Sequence, residues 1–386
     1  MTEEIIYLDN NATTPLDPRV LEAMMPFLTN QFANAASNHG FGHQAKESVK
    51  IAREQMASLI KSEVHEIVFT SGATESINLA IKGVADFYQD KGKHIITAAT
   101  EHTATLDVCR FLELNGFEVT YLDVDKYGLI DLEELKSSIG PNTLLVSIMI
   151  VNNETGVIQP IKEIADIVHK SGALLMTDGT QAFGKMPIDV DELGIDLMAF
   201  SGHKIYGPKG VGGLFVRQRR PSRIKLTPLI HGGGHEKGMR SGTSNVPGII
   251  GLGEAAKLAK KDMGKDNVSI GGLRDQLESK LLEIPDTVLN GHPEKRLYNV
   301  SSLCFKGADA DAIMIGLKSI MVSNGSACTS TKIEPSHVLT AMGLSEQDAY
   351  STIRFSLGRL NEKTDITKVI EDINRIVLNL REMIKP

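Results

Sequence analysis

At 386 residues the chain is longer than one hydrophobic core usually organises, so two domains are expected. Hydrophobic residues make up 41% and charged residues 23%, a balance that excludes a disordered or membrane-embedded chain. The net charge of −7 excludes a protein whose main task is to grip a nucleic-acid backbone.

The start, Met1-Thr2-Glu3-Glu4, lacks the basic opening of a signal peptide, and no apolar run approaches the roughly 20 residues of a membrane span. A cytoplasmic protein is expected. From about Val64 to Val216, strand-like and helix-like segments alternate. Ile67–Thr70, His94–Ala98, Phe117–Leu122, Leu144–Ile150, Ala173–Thr177, Ile195–Phe200 and Gly212–Val216 read as strands. Helical spacing lies between most of them, as in Ile77/Leu79/Ala80/Val84/Phe87 and Ile161/Ile164/Ala165/Val168. Such alternation predicts an α/β fold with a mainly parallel sheet covered on both faces. A long helical stretch follows from Val246 to Ile284, with breaks expected around Gly264 and Gly271. Strand-like Tyr298–Phe305, helical Asp309–Lys318, strand-like Ile320–Ser323 and Ser351–Leu357, and a last helix from Asp365 to about Ile384 predict a smaller α/β domain.

In a parallel sheet, ligands collect outside the carboxyl ends of the strands, so the polar residues there are the candidates. Thr70-Ser71-Gly72-Ala73-Thr74 leads from a strand into a helix; it is either an ordinary cap or an anion site made of free amides and hydroxyls. His102 can stack on a flat ligand, shuttle a proton or be structural. Asp178 can cap the turn that follows, or hold a protonated pyridine nitrogen, with Gln181 three residues on as a partner for a ring oxygen. Lys204 lies 26 residues after Asp178 with one strand between them, so a single crevice can hold both. A lysine in that place suits a Schiff base with an aldehyde cofactor.

Other segments are weighed in the same way. Gly179-Thr180-Gln181-Ala182-Phe183-Gly184-Lys185 nearly spells a phosphate-binding loop. Met186 supplies no hydroxyl for magnesium and Pro187 opposes a following helix, which excludes nucleotide hydrolysis. His231-Gly232-Gly233-Gly234-His235 is too rich in glycine for a helical metal pair. The basic run Arg217 to Lys225 contains no aromatic residue and reads as a solvated loop, not a nucleic-acid surface. Cys109, Cys304 and Cys328 form neither a disulfide framework nor a zinc cluster, and fit a reducing compartment. Cys328 lies in a polar, glycine-containing loop of about residues 323–334, where an accessible thiolate is expected to be nucleophilic. Arg354 offers a fork for a carboxylate, or is a surface residue of an edge strand.

Together, several ordered segments resemble the NifS/IscS-type cysteine desulfurases of the class V aminotransferase superfamily, over nearly the whole chain. They are Tyr7–Pro15, Thr70–Glu75, Val151–Gly156, Asp178–Gln181, Ser201–Lys204, Arg240–Thr243 and Gly325–Ser330. The resemblance implies fold type I with pyridoxal 5′-phosphate on Lys204, stacked under His102, with Asp178 at the ring nitrogen and Gln181 at the ring oxygen. It implies a phosphate cup of Ala73, Thr74, Ser201 and His203, with Thr243 coming from the other subunit of a homodimer. Asn153 and Arg354 would hold the carboxylate of L-cysteine, and Cys328 would take its sulfur as a persulfide for a sulfur-acceptor protein. A large domain over 16–258 and a small one from 1–15 and 259–386 are implied as well. The segment after Cys328, Ile333-Glu334-Pro335-Ser336-His337, resembles the long-loop group.

The sequence departs from the family at Thr103, His235 and Lys237, away from the core chemistry. The last helix ends near the chain's end, where housekeeping members carry a longer tail that docks an iron–sulfur scaffold; a narrower acceptor is therefore expected. Ser323-Asn324-Gly325-Ser326 is similar to members that supply sulfur for DNA phosphorothioation, and thio-modification of tRNA is a further outlet. Two alternatives stand beside this reading: a selenocysteine lyase or other pyridoxal-phosphate lyase, and a catalytically silent sulfur-transfer scaffold.

Overall fold

The computed structural model describes residues 5–219, 223–324 and 334–384. Twelve strands follow in chain order: β1 Ile6–Tyr7, β2 Ile67–Thr70, β3 His94–Ala98, β4 Glu118–Leu122, β5 Thr143–Ser147, β6 Leu174–Asp178, β7 Leu197–Ser201, β8 Gly212–Val216, β9 Thr287–Asn290, β10 Val300–Phe305, β11 Ile320–Met321 and β12 Thr352–Ser356. Seven of them form one sheet in the order β4-β3-β5-β6-β7-β8-β2. The neighbours from β4 to β7 are parallel, and β8 runs against both β7 and β2. β3, β5, β7 and β8 are buried along their whole length and β6 beyond its first residue, which is why they read in the sequence as unbroken apolar runs rather than alternating ones. One apolar cluster, containing Met198, Phe200 and Phe215, covers one face, and a second, containing Val68, Leu145 and Leu197, covers the other.

Chain order places β4 and β5 on opposite sides of β3, so the direction of winding reverses there and a crevice opens beyond the strand ends. Register brings Asp178 level with Ala199, and Ser201 level with Gly212. A Cβ on Gly212 would sit 2.5 Å from Phe200 O and 2.7 Å from Gly72 Cα, so only glycine lets β7 and the turn after β2 close up at this edge.

A smaller three-stranded sheet, β12-β10-β9, and the short pair β1-β11 share a third cluster that includes Leu303, Phe305, Phe355 and residues of the helix Lys363–Ile384. The helix Val246–Leu281 runs 36 residues without interruption, contrary to the expected breaks at Gly264 and Gly271. Each glycine costs a helix about 1 kcal/mol relative to alanine. That cost is offset because the helix buries Leu252 and Ala255 in one core and Ile270, Leu277 and Leu281 in another. The helices Pro18–Thr29 and Gly40–Ile60 pack against it and were not evident in the amino-acid pattern.

The basic run is not a free loop. Arg217 donates to Asp191, Val190 O and Ile195 O, and Arg219 Nε donates to the fully buried Glu66 over 3.1 Å. Glu66 also accepts from the Glu63 and Gln218 amides. Arg220, Pro221 and Ser222 lie outside the described residues. Arg219 is half-buried, and leaving the buried Glu66 carboxylate without one of its partners costs about 1–3 kcal/mol. Arg219→Glu should therefore unfold at lower urea concentration by about that free energy, whereas Lys225→Glu should change stability by less than about 0.5 kcal/mol. Equal midpoints for the two variants in urea melts would show that the Arg219 pair contributes nothing.

Candidate active site

A cleft of about 590 Å³ opens at the carboxyl edge of the large sheet. Lys204, His102, Asp178, Gln181, Ala73, Thr74, Ser201, His203, Asn153 and Arg354 all line it. Thr243 does not; it is exposed on the glycine-rich segment after Ile230. Cys328 lies outside the described residues, although Ser323, at the start of its segment, reaches the cleft wall.

Lys204 sits in a single helical turn directly after β7. Its Nζ donates to the carbonyls of Asn11 (2.5 Å) and Ala12 (2.7 Å), which belong to the arm after β1. Asn11 is itself fixed by Ser356 Oγ, Asn153 O and Asn299 Nδ2. The arm thus ties the amine to both sheets. These carbonyls were missed as site groups; the only sequence signal was that the arm belonged to the resembling segments.

Asp178 ends β6, and its Oδ1 accepts the Thr180 amide at 2.9 Å, so its capping role holds. Its other oxygen carries no hydrogen bond among the described residues and remains for a ligand. His102 caps the helix Thr103–Glu113: its Nδ1 accepts the Ala104 amide, which assigns the proton to Nε2. Burial holds the imidazole below its ordinary pKa, with Asp178 opposing the shift and Lys204 adding to it. A neutral, flat ring results. His203 is pushed down to about 4, first by burial and then by Lys204 and Lys209, so it too is neutral near pH 7.

The helix Ala73–Tyr88 points its N-terminus into the cleft, with no side chain among the described residues capping it. Its free amides, with Ser71, Thr74 and Ser201 beside them and Lys204 and Lys209 nearby, make an anion-binding end. At the opposite wall Arg354 is only 6% exposed, which excludes the surface-arginine reading. It donates to Asp9 Oδ1 (2.7 Å) and Asn153 O (3.0 Å), while its buried Nε has no partner among the described residues. Asn153 Oδ1 and Thr180 Oγ1 are also buried and without a partner among the described residues. Such orphans are expensive in an interior unless a ligand or water completes them. A phosphate at the helix end and a carboxylate at Arg354 would sit at two ends of one cleft, with Lys204 and Asp178 between; the donor set fits pyridoxal phosphate.

Behind His102 lies Glu101, fully buried, its Oε1 accepting the Met149 amide at 2.7 Å. Burial, with Asp178 adding to it, holds its carboxyl well above the ordinary range. The folded protein therefore holds this proton where the unfolded chain has released it, so stability falls as pH rises from about 4.5 towards the elevated folded pKa. Glu101→Gln should remove up to about 1.4 kcal/mol per pH unit of that decline. Urea midpoints at pH 5, 6 and 7 measure it; parallel slopes for both proteins would place the proton elsewhere.

Cys109 and Cys304 are buried free thiols, pushed up by burial to about 12 and about 11. Neither supplies a thiolate near neutral pH. Among the described residues no group of three or more His, Cys, Asp or Glu is placed to hold a metal, and no helix is long and apolar enough to cross a membrane.

Residues 6–369 match the family described as aminotransferase class-V. The chain is 51% identical over 380 residues to the cysteine desulfurase IscS of Ehrlichia chaffeensis, covering 98% of this chain and 92% of that one. The chain belongs to the NifS/IscS-type cysteine desulfurases of the aminotransferase class-V family. Among solved structures, a NifS-like protein superposes with a TM-score of 0.91 at 37% identity, covering 97% of this chain and all of the other. A structure of SspA in complex with cysteine superposes at 0.81 and 40% identity, covering 91% and 98%. This family membership makes the chain an enzyme of a pyridoxal-phosphate family.

Proposed function

We propose that the protein binds pyridoxal 5′-phosphate at Lys204 and removes sulfur from L-cysteine, leaving L-alanine and a persulfide on Cys328. One observation carries the reading: a strand-end lysine, a buried aspartate and an arginine whose Nε has no partner among the described residues share one cleft with the N-terminus of the helix Ala73–Tyr88. When bound, the cofactor supplies an aldehyde and an electron-withdrawing ring.

The chain's own groups do the rest. Ala73, Thr74, Ser201 and His203 hold the phosphate end. Asp178 would take the ring nitrogen's N–H, Gln181 would serve the ring oxygen, and neutral His102 would hold the face of the ring. Arg354 and Asn153 hold the substrate carboxylate, which places its Cα within reach of the Lys204 amine as proton acceptor. The bond between substrate Cβ and sulfur breaks as a bond from that sulfur to Cys328 Sγ forms. L-Cysteine and one protein thiol become L-alanine and one protein persulfide, with no outside oxidant. Buried Cys109 and Cys304 leave Cys328 as the thiol for this step.

A homodimer suits the exposed apolar face of Leu21, Met25, Leu28 and Phe32, and suits Thr243, which is exposed and does not line this cleft. Free buried thiols suit a reducing, cytoplasmic setting. The two cores that share the helix Val246–Leu281 support a division into residues 16–258 and residues 1–15 with 259–386. A sulfur-acceptor protein takes the persulfide onward, to iron–sulfur assembly, tRNA thiolation or DNA phosphorothioation.

The test compares L-cysteine with L-selenocysteine, using cofactor-loaded wild type and Cys328→Ala. The proposal expects alanine from L-cysteine in the wild type only. Undiminished turnover of L-selenocysteine alone would identify a lyase instead.

A further inference from the structure

The segment that imitates a phosphate-binding loop ends in Lys185, and this amine is not at the surface. Lys185 is 6% exposed and lies four residues after Gln181 in a coil of successive turns. Gly184 (φ +74°) makes that coil fit: a Cβ there would stand 2.9 Å from Ile205 Cγ2 and 3.0 Å from Ala259 Cβ. Lys185 Nζ donates to Gln181 Oε1 over 2.8 Å, and Gln181 Nε2 donates to Asn11 O over 2.9 Å. Asn11 O is also the acceptor of the Lys204 amine.

A carboxamide can turn end for end at little cost when its neighbours accept either orientation. Lys185, together with the Asn11 carbonyl, removes that freedom. The Lys185 amine donates to the Gln181 carbonyl and the Asn11 carbonyl can only accept, so the Gln181 NH2 faces Asn11 and the cleft. We propose that Lys185 is a positioning residue that locks the Gln181 carboxamide with its NH2 towards the cofactor, so that the cofactor's ring oxygen meets a donor and never a carbonyl. This rests on the reading of the cleft given above and adds a group that touches neither cofactor nor substrate.

The surroundings explain why the amine is held so firmly. Lys204 and Arg354 are the cations that act on it, while Asp266, Tyr206, Tyr298 and Arg359 line a chamber of about 10 Å³ on its other side, about the size of one water. Burial first, and those two cations next, push Lys185 down to about 7. Either protonation state keeps an N–H for Gln181.

The test titrates the visible absorption of bound pyridoxal phosphate against pH in wild type, Lys185→Met, Gln181→Ala and the double variant. A donor to the ring oxygen favours its ionised form and so makes the cofactor's linkage to Lys204 easier to deprotonate. Loss of the lock should raise the titration midpoint of Lys185→Met by on the order of one pH unit. In the Gln181→Ala background the same substitution should then shift it by little, because the two residues act as one unit. An unmoved midpoint in Lys185→Met overturns the proposal. So does a shift that survives undiminished without Gln181, which would mean the amine acts through space as a charge. If Lys185→Met does not fold, Lys185→Leu with Lys185→Gln takes its place in the same cycle, and the same two outcomes decide. A wild type that takes up no cofactor would instead overturn the reading of the cleft.

Discussion

Lys204→Ala should lose the visible absorption of lysine-bound pyridoxal phosphate and form alanine from L-cysteine at least 10²–10⁴ times more slowly, the span that a positioned general base contributes. Two roles end at once, because the same amine is both the attachment point and the proton acceptor. The geometry adds a second consequence. Lys204 joins the arm carbonyls of Asn11 and Ala12 to the end of β7, so its removal takes one donor from Asn11 O, which keeps Gln181 Nε2, and the Lys204 donor from Ala12 O. Loosely bound cofactor is therefore expected even at saturating concentration. Absorbance after gel filtration measures retention, and alanine release measures rate. A variant that keeps the wild-type spectrum would move the attachment point elsewhere.

Cys328→Ser should leave cofactor binding intact and lower alanine formation by at least about 10³-fold. The estimate follows from replacing a thiol, a few per cent thiolate near neutral pH and strongly nucleophilic, by a hydroxyl that is essentially un-ionised. The contrast with Lys204→Ala is diagnostic, because one variant keeps the spectrum and loses the product whereas the other loses both. Cys304→Ser is the control. Its thiol is buried and donates to Asp348 O at 3.3 Å, so alanine formation should stay within about twofold of wild type after allowance for any change in stability. If Cys304→Ser loses alanine and Cys328→Ser does not, the sulfur acceptor has been misassigned.

The strands were legible because buried parallel strands carry continuous apolar runs, and their ends were legible because polar residues stop those runs abruptly. Asp178, Ser201 and Lys204 were found that way. Arg354 was harder. β12 is indeed an edge strand of its sheet, but it is covered on both faces, so a residue that would be exposed on an ordinary edge is buried against Asp9 and Asn153. The long helix Val246–Leu281 defeated the glycine rule, since packing on two cores outweighs local propensity.

What lay outside the reach of pattern was contact between distant segments. Nothing in Asn11-Ala12 shows that these carbonyls meet Lys204, 193 and 192 residues away. Nothing in the spacing of Arg219 and Glu66 shows their pairing, which turns a presumed solvated run into a structural tie. Lys185 belongs to the same class. Its motif was rejected for nucleotide chemistry on sound grounds, yet only the fold shows its amine turned inward onto Gln181.

The central claim is tested most directly by mixing cofactor-loaded protein with L-cysteine in the absence of any acceptor or reductant, stopping after about one turnover, and counting both products. The account predicts one alanine for each protein chain that has gained a single sulfur atom, with that atom located on Cys328 by peptide mass spectrometry. Alanine formed with no added sulfur on the protein, or sulfur found on Cys109 or Cys304, would contradict it.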